Sequence, residues 1–206
     1  MSEIYKKAPV AEFGICSWLK PKVIIPGSIP GWGTKKEIMR LEKFLNEKSE
    51  YKIYLDMDGV LTDFDSAFKK IDGRSTTEVE KEGDPAFWEH VKKGGLKFWS
   101  MMPWMKDGRK LWNYVKNMDV NILSSPSRSL PDSSKGKKIW VYQALNPTPK
   151  LILKRAREKQ EYAKPNTILI DDRKKNIDRW NAAGGIGIWH KSANKTIKKL
   201  ESILGE

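Results

Sequence analysis

Three short apolar runs in this chain each stop at polar residues, and no other feature constrains the fold as much. Tyr51-Lys52-Ile53-Tyr54-Leu55 ends in Asp56, Val120-Asn121-Ile122-Leu123 in Ser124-Ser125, and Thr167-Ile168-Leu169-Ile170 in Asp171-Asp172. Runs of this length and make-up read as buried strands, and Gly185-Ile186-Gly187-Ile188-Trp189 reads as a fourth. Between them lie helical spacings: Leu111, Trp112, Tyr114 and Val115, then Ile139, Trp140, Tyr142 and Leu145, then about 173–182. Strands alternating with helices predict an α/β fold built on a parallel sheet with helices on both faces. In such sheets ligands bind beyond the carboxyl ends of the strands. The topology therefore predicts that Asp56, Ser124-Ser125 and Asp171-Asp172 share one edge.

Each strand end offers chemistry. In Asp56-Met57-Asp58-Gly59 two carboxylates two residues apart point the same way from an extended segment. Gly59 then permits a tight turn. An isolated Asp-x-Asp also occurs in calcium loops, but the twelfth position from Asp56 is Ala67 rather than Glu. Ser124, Ser125 and Ser127 supply hydroxyls that either bind phosphate oxygens or simply line a loop. Ser134-Lys135-Gly136-Lys137-Lys138 opens a helix at Ile139. Lysine at a helix N-terminus opposes the dipole unless an anion is held there, and is otherwise a solvated cluster. The neighbouring carboxylates Asp171 and Asp172 repel unless a cation neutralises them. With Asp56 close by, Mg²⁺ is the economical occupant. Capping of the next helix accounts for one of the two carboxylates but not both.

The order Asp-x-Asp-Gly, Ser, Lys, Asp-Asp, each at an element boundary, resembles the haloacid dehalogenase (HAD) superfamily of phosphohydrolases over about residues 51–190. Within it, Asp56–Phe64, Ile122–Pro126, Lys137–Val141 and Leu169–Arg173 look most like the 5'(3')-deoxyribonucleotidase family. The resemblance implies a Rossmann-like parallel sheet flanked by helices, with a small helical cap inserted after the first motif. It implies Asp56 as the nucleophile that forms an aspartyl-phosphate, and Asp58 as acid and then base. Asp56, the backbone carbonyl of Asp58 and Asp172 would hold Mg²⁺, with Asp171 a further ligand or a group behind it. Gly59, Ser124, Ser125 and Lys137 would bind the phosphoryl group. Phe64 stands where the family packs an aromatic near the base, and Arg155 where it has a substrate-contacting arginine. The cap would span roughly Phe64 to Pro103, shorter than is usual for the family. The expected parts are then an N-terminal extension over 1–50, a core over 51–63 and 104–206, and a cap over 64–103. In the extension, Thr34-Lys35-Lys36-Glu37 has capping-box spacing and predicts a helix over about 34–49.

Composition narrows the partners. Lys and Arg number 39 against 26 Asp and Glu, a formal charge of +13, which raises the local concentration of anions without naming them. The expected substrate is a small phosphorylated molecule, a nucleoside monophosphate. The alternative is a nucleic-acid 3'-end. Ile170-Asp171-Asp172-Arg173 and Trp180 also resemble the 3'-phosphatase domain of phage-type polynucleotide kinase, and nine Lys or Arg against two Glu between Ser134 and Lys164 could follow a phosphate backbone. No G-x-x-x-x-G-K-[ST] motif is present, and the aromatic-rich cap favours a small enclosed substrate. A catalytically idle module is disfavoured by the intact set of Asp56, Asp58, Lys137, Asp171 and Asp172. His90 and His190 lack a Ser or Cys partner at suggestive spacing, and Cys16 stands alone, which excludes an internal disulfide framework. With no apolar run of about 20 residues and no apolar leader, the expectation is a soluble, cytoplasmic protein without a membrane partner.

Overall fold

The computed structural model describes Lys36, residues 51–82 and residues 87–205. The helix expected over 34–49, and the rest of the extension, lie outside these residues apart from Lys36, which is helical. Five parallel strands form one sheet: β1 (Lys52–Leu55), β2 (Val120–Ser124), β3 (Lys150–Leu153), β4 (Thr167–Asp171) and β5 (Ile186–Trp189), in the order β3-β2-β1-β4-β5. Leu55 pairs with Ile122 on one side and Ile170 on the other. That register brings the ends of β1, β2 and β4 level. The parallel sheet flanked by helices is therefore the architecture expected from the sequence. Strand β3 was not. Its apolar core is three residues, Leu151-Ile152-Leu153, flanked by lysines at the sheet edge.

Connection direction decides which face each helix covers. The chain steps outward from β1 to β2 to β3, then crosses back to β4 and β5. Right-handed crossovers put the first set of connections on one face and the second set on the other. On the first face, α4 (Gly108–Val115), α5 (Asp132–Ala144) and the C-terminal α7 (Ala193–Leu204) pack on Ile53, Leu55, Ile122, Ile168, Ile170 and Ile188. On the second, α6 (Lys174–Ala182) and a 3₁₀ helix (Ala156–Tyr162) cover Tyr54, Leu123 and Leu169. The one-residue alternation of Ile53, Tyr54 and Leu55 between faces follows from strand geometry.

Between β1 and α4 come α1 (Phe64–Asp72), α2 (Thr76–Glu82) and α3 (Phe87–Ser100), the last broken at Gly95, where φ is +54°. Asp63 caps α1 by accepting from the Ser66 N–H at 2.9 Å. The insert's two stems are tied together: the Asp63 N–H donates to the Pro103 carbonyl and the Met105 N–H to the Leu61 carbonyl, each at 2.8 Å. Helix α3 lies directly on α5, because a Cβ at Gly136 would collide with that of Trp99. No helix among the described residues is long and apolar enough to cross a membrane.

Candidate active site

Asp56 leaves the end of β1 almost completely buried, at 6% exposure. Its N–H donates to the Ile170 carbonyl at 2.9 Å, which locks it to the end of β4. Its Oδ1 accepts the Met57 N–H at 2.8 Å. The chain then folds back through Gly59, at φ +75°, and the Leu61 and Thr62 N–H groups both reach the Met57 carbonyl at 2.8 Å. A side chain at Gly59 would be strained by that φ and would run into the Asp172 carboxylate. Asp58 emerges from this turn with its side chain 30% exposed. Its Oδ1 accepts from Thr62 Oγ1 at 2.9 Å and its Oδ2 from Lys137 Nζ.

Lys137 is fully buried. Besides Asp58, its ammonium donates to Ser124 Oγ at 2.9 Å and to the Ser125 carbonyl at 3.0 Å. The sequence placed this lysine where a helix opens, but α5 starts at Asp132, so Lys137 projects from the second turn. Its position is set by packing and by these acceptors more than by the dipole. Ser125 Oγ is buried and has no hydrogen-bond partner among the described residues. A buried hydroxyl left without a partner costs about 1–3 kcal/mol, so a ligand oxygen there restores what the fold leaves unmet.

The sequence reading missed Lys159. It counted this residue only within the basic stretch from Ser134 to Lys164 that could follow a phosphate backbone, yet the structure buries it to 2% exposure. The 3₁₀ helix delivers its Nζ to 2.8 Å from Asp56 Oδ2 and 2.7 Å from Asp171 Oδ2. Burial opposes the charge on Lys159, but the two carboxylates outweigh it and the net direction is upward. Burial likewise pushes Asp56 up, but Lys159, with help from Lys137, carries it below the ordinary carboxylate value. The surrounding cations thus favour the ionised form of Asp56. Arg155, at the start of the same 3₁₀ helix, is half exposed, with its guanidinium 3.7 Å from Glu158 Oε1.

The adjacent carboxylates at the end of β4 are in opposite states. Asp171 is saturated: it accepts from Lys159, from Asn176 Nδ2 at 3.0 and 2.9 Å, and from the Arg173 N–H at 2.9 Å. Asn176, on α6, is a second residue that sequence reasoning did not single out. Burial and the charge of Asp56 still push Asp171 upward against Lys159. Asp172 has a buried Oδ1 with no partner among the described residues. Burial, then Asp56 and Asp171, push its pKa to about 6. Its carbonyl accepts from Trp189 Nε1 at 2.8 Å, which anchors the backbone at this point. The repulsion that the sequence assigned to a metal is thus partly answered by Lys159, on the Asp171 side.

Asp56, Asp171 and Asp172 each offer an oxygen within 4.8 Å of the others. Hard carboxylate oxygens, one of them orphaned on a group with a raised pKa, fit a divalent cation such as Mg²⁺. The two histidines lie elsewhere: His90 Nδ1 is 2.9 Å from Asp72 Oδ2, and His190 Nδ1 is 2.9 Å from Thr196 Oγ1. Phe64 packs against rings of α3, 5.2 Å from Phe98 and 5.7 Å from Trp99 between centroids.

No family model matches the chain, and no curated protein matches it. Solved structures do. A hydrolase from Streptococcus pneumoniae TIGR4 is 17% identical with a TM-score of 0.47, over 76% of this chain and 100% of that one. A HAD-superfamily hydrolase of subfamily IA from Geobacter sulfurreducens PCA is 14% identical with a TM-score of 0.45, over 74% and 97%. A HAD family hydrolase from Deinococcus radiodurans R1, with bound phosphate and sodium, is 10% identical with a TM-score of 0.40, over 68% and 80%. Identities this low do not carry a reaction from one chain to another.

Proposed function

We infer that the protein is a Mg²⁺-dependent phosphomonoesterase that works through an aspartyl-phosphate on Asp56. The observation that carries this reading is the ionised Asp56 clamped at the end of β1 by Lys159, with Asp58 two residues on and Asp172 offering an unused oxygen. Asp56, Asp172 and the Asp58 carbonyl would hold the cation, which supplies charge neutralisation of the phosphoryl oxygens when bound. Asp56 attacks phosphorus and the ester P–O bond breaks. Asp58, once protonated, gives its proton to the departing alkoxide. As carboxylate it then takes a proton from water, whose oxygen attacks phosphorus and releases Asp56. Lys137 sits between Asp58 and the Ser124 hydroxyl. A phosphoryl oxygen bound there would share the Lys137 ammonium with Asp58. Ser125 Oγ and the turn at Gly59 complete the phosphate cradle.

The substrate class in this reading is a nucleoside monophosphate. Its support is the motif resemblance and the position of Phe64 in the chain just after the turn that carries Asp58. Asp56→Asn should keep the fold and lose phosphate release by roughly four orders of magnitude or more. Near-wild-type turnover in that variant, or full turnover in EDTA, sinks the phosphatase reading. A release screen over nucleoside monophosphates, sugar phosphates and 3'-phosphorylated oligonucleotides tests the class, with Phe64→Ala expected to raise KM for the nucleotides. Turnover of other monoesters without any nucleotide would remove the class and leave the phosphatase.

A further inference from the structure

Among the described residues, helix coverage leaves one part of the sheet open. On the second face the connection from β3 to β4 is a seven-residue 3₁₀ helix, so no full helix among these residues lies over the amino ends of β1, β2 and β3. Parallel strands are normally buried on both faces and apolar throughout. Here the positions on that side are polar: a partly exposed Lys52 on β1, a buried Asn121 on β2 and an exposed Lys150 on β3. Asn121 pairs in register with Tyr54 on one side and Lys150 on the other. These residues, with Tyr162 and Lys164 on the side of the 3₁₀ helix, line a half-open cavity of about 480 Å³. That volume lies within the roughly 300–1,000 Å³ typical of small-molecule sites.

The cavity is separate from the Asp56 cluster. Lys52 begins β1 and Asp56 follows its end. At a rise of about 3.3 Å per residue the two are about 13 Å apart, at opposite edges. Its charge is positive: Lys52 is paired with Asp119 at 2.8 Å, whereas Lys150 and Lys164 are exposed and have no ion-pair partner among the described residues. Lys150 is level with Tyr54, so Lys52 stands two strands across and two residues back, about 12 Å away. Tyr54 and Tyr162 put two rings 5.6 Å apart beside these cations.

We propose that this amino-edge cavity is a second binding site that takes one nucleotide unit, its phosphate between Lys150 and Lys164 and its base against Tyr162. Lysines at an open rim attract phosphate, and an aromatic face accepts any base. A free nucleotide and a nucleotide within a single strand share this chemistry.

The test uses the full chain in EDTA, with fluorescein-labelled AMP and a fluorescein-labelled oligothymidylate as probes and anisotropy as the readout. The wild-type protein should bind at least one probe, more weakly as salt rises. The double variant Lys150→Glu, Lys164→Glu should weaken binding roughly tenfold or more. Its hydrolysis of p-nitrophenyl phosphate with Mg²⁺ should match wild type, since neither residue touches the Asp56 cluster. Preference for AMP assigns a free nucleotide, and preference for the oligomer assigns a strand. Equal binding by wild type and the double variant, or no binding of either probe by wild type, overturns the proposal.

Discussion

Lysines gather at both edges of the sheet, and they live differently there. At the carboxyl edge Lys137 and Lys159 are buried, and each meets a carboxylate at hydrogen-bond distance. At the amino edge Lys150 and Lys164 are exposed and unanswered by any described carboxylate. The difference follows from coverage. A buried ammonium is tolerated only with its counter-charges in place, so it fixes both geometry and protonation state around it. An exposed ammonium stays hydrated and mobile, suited to capturing an anion rather than tuning a neighbour.

The sharpest way to break this contrast is a matched pair of substitutions. Lys159→Met strips the counter-charge from Asp56 and Asp171, and should lower stability by about 3–5 kcal/mol as read from urea midpoints. Lys164→Met should change it by less than about 0.5 kcal/mol. Similar shifts for the two would end the distinction between the edges. A smaller effect of opposite sign is expected at Asp172. In EDTA at pH 7 its carboxylate is held against burial and two like charges, with a pKa near 6. Asp172→Asn should therefore raise the thermal stability of the metal-free protein by about 1–2 kcal/mol, discounted for its partial exposure. The same change should abolish the stabilisation that added Mg²⁺ gives wild type. Asp171→Asn should instead destabilise, since Lys159 and Asn176 lose their charged acceptor.

The smallest effect concerns burial without a paired charge. Burial holds His190 below its ordinary pKa, against a weaker pull from Asp107. The unfolded chain therefore takes a proton before the native one does. The stability contributed by neutral His190 is fully present above about pH 6.5 and is lost as pH falls through its lowered native value. His190→Gln should flatten that part of the stability profile. An unchanged slope would mean that His190 titrates normally in the fold.

The strands that meet the site were legible because each is a run of apolar residues stopped by a polar one. Asp56, Ser124 and the Asp171-Asp172 pair could be placed on one edge from that alone, Asp58 and Lys137 joined them only through the motif resemblance, and the structure brings all of them together. Lys159 could not. It lies in a seven-residue 3₁₀ helix, too short for a helical period, among other cations that do face water. Its partners are set by topology, not by spacing. Strand β3 was hidden by its brevity, and α7 was overlooked although Ser192 caps it and Ile197, Leu200 and Leu204 are spaced as a buried stripe. The opposite fates of Asp171 and Asp172 were also invisible, because they depend on Asn176 and on a backbone turn that no pattern in the chain announces.

The contact of Gly136 with Trp99 bears on how such an insert can be exchanged. The residue after that glycine is Lys137, and the Trp99 ring lies 5.8 Å from its ammonium. The seam that fastens the insert therefore also aligns a lysine of the site. An insert grafted from another chain onto this core would meet α5 with the wrong relief and drag Lys137 away from Asp58. In a chimera, α3 and α5 are a single heritable part, and the boundary drawn along the chain between insert and core is not the boundary along which the molecule can be cut.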